Sequence, residues 1–167
     1  MLSQNMQSAL NKQINEELYS AYVYLAMAAE SENIGLPGFA HWFKMQYQEE
    51  LNHADRFFTY ILDRNGRVEL DALGKPTVEG ETPLSLFEKA LNHEQHISQC
   101  IFKLKDTARQ ESDHATDVFL EWFVREQIEE EASTQAVIDQ LRLVEGNPNG
   151  LFLIDRELAS RQPDDGE

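Results

Sequence analysis

Glu50-Leu51-Asn52-His53 lies in the middle of residues 38–65, where the inward-facing register reads Phe39, Phe43, Gln46, Glu50, His53/Ala54, Phe57 and Ile61. That is the 3.6-residue period of an amphipathic helix, and Gly66 is expected to close it as a C-terminal cap. A spacing of three puts the carboxylate and the imidazole one turn apart on one face. Both then point toward a core, where an ionised carboxylate is costly unless it is paired or coordinates a metal.

Three more helices of the same kind surround this one. Residues 4–33 carry Leu10, Ile14, Ala21, Leu25 and Ala28 on one stripe, with Glu17 and Tyr24 on it, before Asn33-Ile34-Gly35-Leu36-Pro37 breaks the pattern. Thr82-Pro83 reads as a cap and first turn of a helix running to about Glu111 through Phe87, Leu91, Glu94, Ser98, Ile101 and Ala108. Residues 115–145 follow a short turn and place Phe119, Phe123, Gln127, Glu130, Thr134, Val137 and Leu141 inward. Asn147-Pro148-Asn149-Gly150 stops that helix, and Leu151-Phe152-Leu153-Ile154 opens a short fifth one, about 150–161, before a polar tail at 162–167. The Leu151-to-Ile154 run is apolar enough, if exposed, to imply contacts between subunits.

Residues 66–83 contain three Gly and two Pro and no helical period. A connection of this length is uncommon unless it crosses from one end of a bundle to the other. A helix of about 28 residues is ~42 Å long, and a chain of 18 extended residues reaches roughly 60 Å. The third helix is therefore expected to run parallel to the second. The fold class is all-α: a four-helix bundle over about 4–145 with a long crossover between helices two and three and a short C-terminal fifth helix, within one domain spanning 1–167. Counted from one end, Glu17, Glu50, Glu94 and Glu130 lie roughly 16, 13, 10 and 15 residues along, a spread of ~9 Å. One shared site near mid-bundle is geometrically possible.

The composition agrees with cation chemistry. Thirty acidic residues against 14 basic ones give a formal charge of −16, which repels nucleic acid and anionic membranes and attracts cations. No stretch approaches the ~20 apolar residues of a membrane span, and the first twenty residues lack the pattern of a signal peptide. The single Cys100 excludes an internal disulfide framework and multi-cysteine metal sites. A soluble cytoplasmic protein is expected. Oxygen ligands with one imidazole suit iron or manganese. A bridging carboxylate can hold two ions ~3.5–4 Å apart. The expected arrangement has Glu17 and His53 on the first metal, Glu50 bridging, and Glu94 with Glu130 on the second.

These residues, together with Glu16-Glu17-Leu18-Tyr19-Ser20, Gln127-Ile128-Glu129-Glu130-Glu131, Asn65-Gly66 and the run Leu-Phe-Leu-Ile-Asp-Arg-Glu-Leu at 151–158, closely resemble the non-haem ferritins of bacteria and archaea. The resemblance covers nearly the whole chain. It implies a ferritin-like fold and a homo-oligomeric hollow shell of 24 subunits. It also implies oxidation of ferrous iron by dioxygen or hydrogen peroxide and storage of ferric mineral. It further implies a di-iron centre in which Glu17, Glu50 and His53 form the first iron site and Glu50, Glu94 and Glu130 the second, with Gln127 and Tyr24 beside them. Glu49, Glu126, Glu129 and Glu130 resemble the cavity-facing third iron site of the bacterial subgroup, and Glu126, Glu129 and Glu130 are one turn apart. Haem-binding relatives carry a second ExxH in helix four and a Met after the bridging Glu. Here Gln127-Ile128-Glu129-Glu130 and Leu51 stand in those places, so no haem is expected. By the same family geometry, Asp113 and Asp117 would line a threefold acidic pore.

Two other readings follow from the residues: a soluble di-iron oxidoreductase that consumes peroxide or an organic substrate without storing iron, and a metal-free interaction bundle. Tyr24 could hydrogen-bond a ligand or give up an electron, and Trp122 reads first as packing. Cys100, His41, His93, His96 and His114 carry no partner pattern.

Overall fold

The computed structural model describes residues 2–78, 80 and 82–162, so the end of the polar tail, 163–167, lies outside the described residues. Its five helices are α1 (Gln4–Asn33), α2 (Pro37–Asp63), α3 (Pro83–Gln110), α4 (His114–Leu143) and α5 (Pro148–Leu158), with no strand among the described residues. None of the helices is long and apolar enough to cross a membrane.

Local chemistry sets the ends. Ser3 Oγ accepts the N–H of Met6 at 2.9 Å. Thr82 and Ser85 form a reciprocal capping box ahead of Pro83. Asp113 Oδ1 accepts the N–H of Thr116 at 3.1 Å. Asn147 Oδ1 takes the N–H groups of Asn149 and Gly150 at 3.1 and 3.2 Å. Helix α5 thus starts at Pro148, earlier than its sequence suggests, because Asn147 caps it and Gly150 fits against Val144 inside the first turn.

The end of α2 also differs from expectation. Asn65, with φ +56°, adopts the left-handed conformation, while the N–H of Gly66 closes the turn onto the carbonyl of Ile61 at 2.8 Å. Gly66 serves space rather than dihedral freedom, since a Cβ there would lie 2.9 Å from Ile61 Cγ2 and 3.0 Å from Gln7 Oε1.

Hydrogen bonds between helix ends give the directions. Arg64, just past α2, pairs with the α4 cap Asp113 at 3.1 Å. Ser3 and Asn5 bond the Glu111 carboxylate at the end of α3, at 2.5 and 2.8 Å. The starts of α1 and α4 therefore share an end with the finishes of α2 and α3. The crossover returns along α1. Arg67 N–H donates to Gln7 Oε1, Asn11 bonds both Arg67 and Glu69, and Glu30 takes the N–H of Gly80 near the other end. Val78 is buried and anchors it.

The apolar core forms two clusters. One gathers Met6, Leu10, Ile14, Phe57, Ile61, Ile97, Ile101, Leu120 and Phe123; the other gathers Tyr24, Met27, Phe39, Phe43, Leu86, Phe87 and Ile138, with Ile154 and Leu158 of α5. Each of the four long helices passes from one cluster to the other. The crossing points are Glu17, Gln46 to His53, Glu94, and Gln127 to Glu130, which are the expected ligands and their neighbours. Leu25 departs from the α1 stripe, at 40 % exposed. Within the Leu151-to-Ile154 run, Ile154 is buried against the core, while Phe152 and Leu153 stand 59 and 65 % exposed.

Helix α2 begins at Leu36-Pro37 without a side-chain cap of its own, and α5 supplies one. Asp155 Oδ1 accepts the N–H groups of Gly38 and Phe39 at 2.8 and 3.1 Å. A Cβ on Gly38 would sit 1.7 Å from the Asp155 carbonyl oxygen, a contact that only moving α5 could relieve. Gly38→Ala is therefore expected to destabilise the fold by about 3 kcal/mol, read as a lower urea midpoint. An unchanged midpoint would show that α5 is not held there.

Candidate metal centre

Glu17, Glu50 and His53 are buried and offer three ligand atoms within 4.8 Å of one another. His53 Nδ1 lies 3.5 Å from Glu50 Oε2. A second group within the same limit joins His53 to Glu126 and Glu130, with His53 Nε2 4.0 Å from Glu126 Oε1. The two ring nitrogens of one histidine thus face two carboxylate groups. Its ring is held edge-on by Trp122 and Phe123, with centroids at 5.5 and 6.0 Å.

Amide and phenol donors set the carboxylates. Gln13, one turn before Glu17, donates to Glu17 Oε1 at 2.9 Å. Gln46, one turn before Glu50, donates across the bundle to Glu130 Oε2 at 2.6 Å. Glu94 accepts from the Tyr24 hydroxyl and from Gln127 Nε2, the latter at 3.0 Å. Glu94 belongs to neither close group. Its charge still reaches Glu50 and Glu130.

The electrostatics are those of a cation site. Burial, then the facing Glu50, pushes the Glu17 carboxyl well above its usual range. Burial, then Glu94 and Glu130, does the same to Glu50. Burial raises Glu94 against the lowering effect of Tyr24 and Gln127. Glu130 is pushed up to about 8, again by burial first and Glu94 second. Glu17 Oε2 and both Glu50 oxygens are buried with no donor but a proton shared between the two carboxyls. Such oxygens are rare in proteins and call for a counter-ion. Two divalent cations would match the formal charge of the four carboxylates Glu17, Glu50, Glu94 and Glu130 and supply the missing partners. An oxygen-rich set with one imidazole suits iron or manganese.

The remaining expected residues divide. Glu126 and Glu130 join the second group, while Glu129 is exposed and outside it. Glu49 is buried and ion-paired with Arg161 at 3.0 Å. Asp113 is occupied as the α4 cap and by Arg64, and Asp117 by Lys105 at 2.8 Å and Arg109 at 3.3 Å. Gln13, Gln46 and Arg161 had no assigned part in the sequence reading. The first two were detectable as amides one turn before a ligand-type Glu. Arg161 was not, since its partners lie 112 and 115 residues away.

Comparison with known proteins gives the family. Residues 7–144 match the ferritin-like domain of the ferritin family. The bacterial non-heme ferritin of Bacteroides fragilis is 41% identical over 161 residues, covering 96% of this chain and all of that protein. The Staphylococcus aureus (strain MRSA252) protein of the same name is 38% identical over 165 residues and 99% of both chains. The open-pore ferritin of the archaeon Archaeoglobus fulgidus superposes with a TM-score of 0.96 at 45% identity, over 97% of this chain and 100% of that one. The chain belongs to the ferritin family, among its bacterial and archaeal non-haem members.

Proposed function

We propose that this protein is an iron-storage ferritin with ferroxidase activity, oxidising ferrous to ferric iron at an intrasubunit di-iron centre. The observation that carries the reading is the buried oxygens of Glu17 and Glu50, with no donor but a shared proton, beside His53 at the level where all four long helices turn polar. Ferrous iron is the substrate. Glu17 and His53 hold the first ion, Glu50 lies between the two, and Glu94 with Glu130 receives the second. Each ion gives up one electron; dioxygen takes two electrons and two protons and leaves as hydrogen peroxide, which can itself oxidise two further ferrous ions.

The chain's own contribution is positioning and charge. Gln13, Gln46, Gln127 and Tyr24 orient the carboxylates, and the protons that burial holds on the glutamates leave as iron binds. The carboxylates favour the ferric product, which carries the higher charge. Glu126, with His53 and Glu130, offers a step outward, where exposed Glu129 continues the acidic surface. Phe152 and Leu153 on α5 supply apolar contacts for a homo-oligomeric shell of 24 subunits that stores the mineral in the cytoplasm.

The test is an anaerobic ferrous titration of the assembled protein, then mixing with dioxygen or peroxide, read with particle size. Two ferrous ions per chain, fast oxidation and a hollow particle are expected. A small oligomer that turns over peroxide without accumulating mineral would instead mark an oxidoreductase without storage.

A further inference from the structure

Arg161 follows the end of α5, yet its side chain returns to the metal centre and is only 18 % exposed. Its Nη2 lies 3.1 and 3.0 Å from the two Glu49 oxygens, and its Nη1 donates to Gln46 Oε1. The guanidinium carbon sits 4.9 Å from the centroid of the Trp42 ring, and the Arg161 carbonyl accepts from His41 Nε2 at 2.8 Å. Main chain and side chain are therefore both fixed.

Two consequences follow from the chemistry of arginine, which donates and never accepts. Because it takes the Gln46 carbonyl oxygen, the Gln46 amide nitrogen must face Glu130, as it does at 2.6 Å. Because it pairs with Glu49 through both oxygens, another cation must compete with it for that carboxylate, whose charge borders Glu50 and Glu130. The outer group of His53, Glu126 and Glu130 is thus left without a fourth carboxylate that the backbone has already brought alongside.

We propose that Arg161 is a built-in competitor for metal at Glu49. It keeps the outer group a weak transit site and positions Glu130 through Gln46. The inference rests on the di-iron reading of the inner site. With His53 serving the first ion, a third ion held by Glu126 and Glu130 alone passes on; one also held by Glu49 would be retained.

The test uses the assembled protein and zinc as a redox-inert probe, with equivalents per chain and their affinities read by calorimetry. Wild type is expected to bind two tight equivalents and a weak third. Arg161→Gln should tighten the third about tenfold, as expected for removing one competing charge from a partly solvated ion pair. Arg161→Lys, which keeps the charge, should stay near wild type. Glu49→Gln should change the third affinity little while Arg161 is present, and should abolish the gain in the Arg161→Gln background. The proposal is overturned if Arg161→Gln leaves the third affinity unchanged, or if Glu49→Gln alone weakens it as much as in the double variant. Glu49→Gln alone still decides the matter should Arg161→Gln fail to fold. Absence of the two tight equivalents in wild type sinks the di-iron reading itself, a separate failure.

Discussion

Glu50→Gln is expected to slow ferrous oxidation about a hundredfold or more while leaving the metal-free protein at least as stable as wild type. Removing a group that only orients a metal ligand already costs about 10- to 100-fold, and in the proposed centre Glu50 would lie between both ions. Both of its oxygens are buried with no donor but a proton shared with Glu17, and Glu17, Glu94 and Glu130 surround it with like charge. An amide of the same shape cannot bridge two cations, but it removes a buried acid surrounded by like charge. Activity and stability should therefore move in opposite directions, which distinguishes a ligand from a packing residue. Stopped-flow absorbance gives the rate and a thermal melt gives the stability. Fast oxidation retained in the variant, or a melting temperature well below wild type, would place the bridging role elsewhere. His53→Ala should show a similar loss of rate, but it also opens a cavity between Trp122 and Phe123.

The parts of this molecule legible in its sequence are those governed by a local period. Phe39, Phe43, Gln46, Glu50, His53, Phe57 and Ile61 are all buried as the 3.6-residue spacing requires. The crossover could be inferred from length alone, because 18 residues without a period must span a helix. What stayed hidden depends on which neighbour reaches a group first. Gly66 marks the end of α2, but Asn65 takes the left-handed dihedral, and the close space beside Ile61 and Gln7 favours a glycine at the next position. Glu94 aligns with the other ligands along the bundle, but Tyr24 and Gln127 engage its oxygens. Asp117 looks like a free surface acid until Lys105 and Arg109 are placed next to it. The capping of α2 by Asp155 and the pairing of Glu49 with Arg161 join residues more than a hundred positions apart, for which no periodicity gives notice.

Divalent metal should stabilise the fold strongly, and by an amount that grows with pH. In the metal-free protein Glu17, Glu50 and Glu94 have raised pKa values and Glu130 titrates at about 8, against an unfolded value of about 4.3. Between those limits the folded state binds more protons than the unfolded one, so stability falls as pH rises. The contribution of these groups is complete below the unfolded value and is lost as pH passes through the folded one. Metal reverses this trend, because ions displace the protons and do so with less competition at high pH. At a free metal concentration about a thousand times the dissociation constant, one site adds about 4 kcal/mol, or a rise of about 10 °C for a chain of this size. Melting with excess manganese and with a chelator, at intervals from pH 5.5 to 8.5, measures both effects. The metal-free melting temperature should decline across the range and the metal-saturated one should not, so the gap widens. Glu130→Gln should flatten the metal-free decline, since it removes the carboxyl that titrates at about 8 while keeping its shape and the contact with Gln46. A gap that is constant with pH, or an unaltered slope in that variant, would mean that the buried glutamates are not the groups exchanging protons for metal.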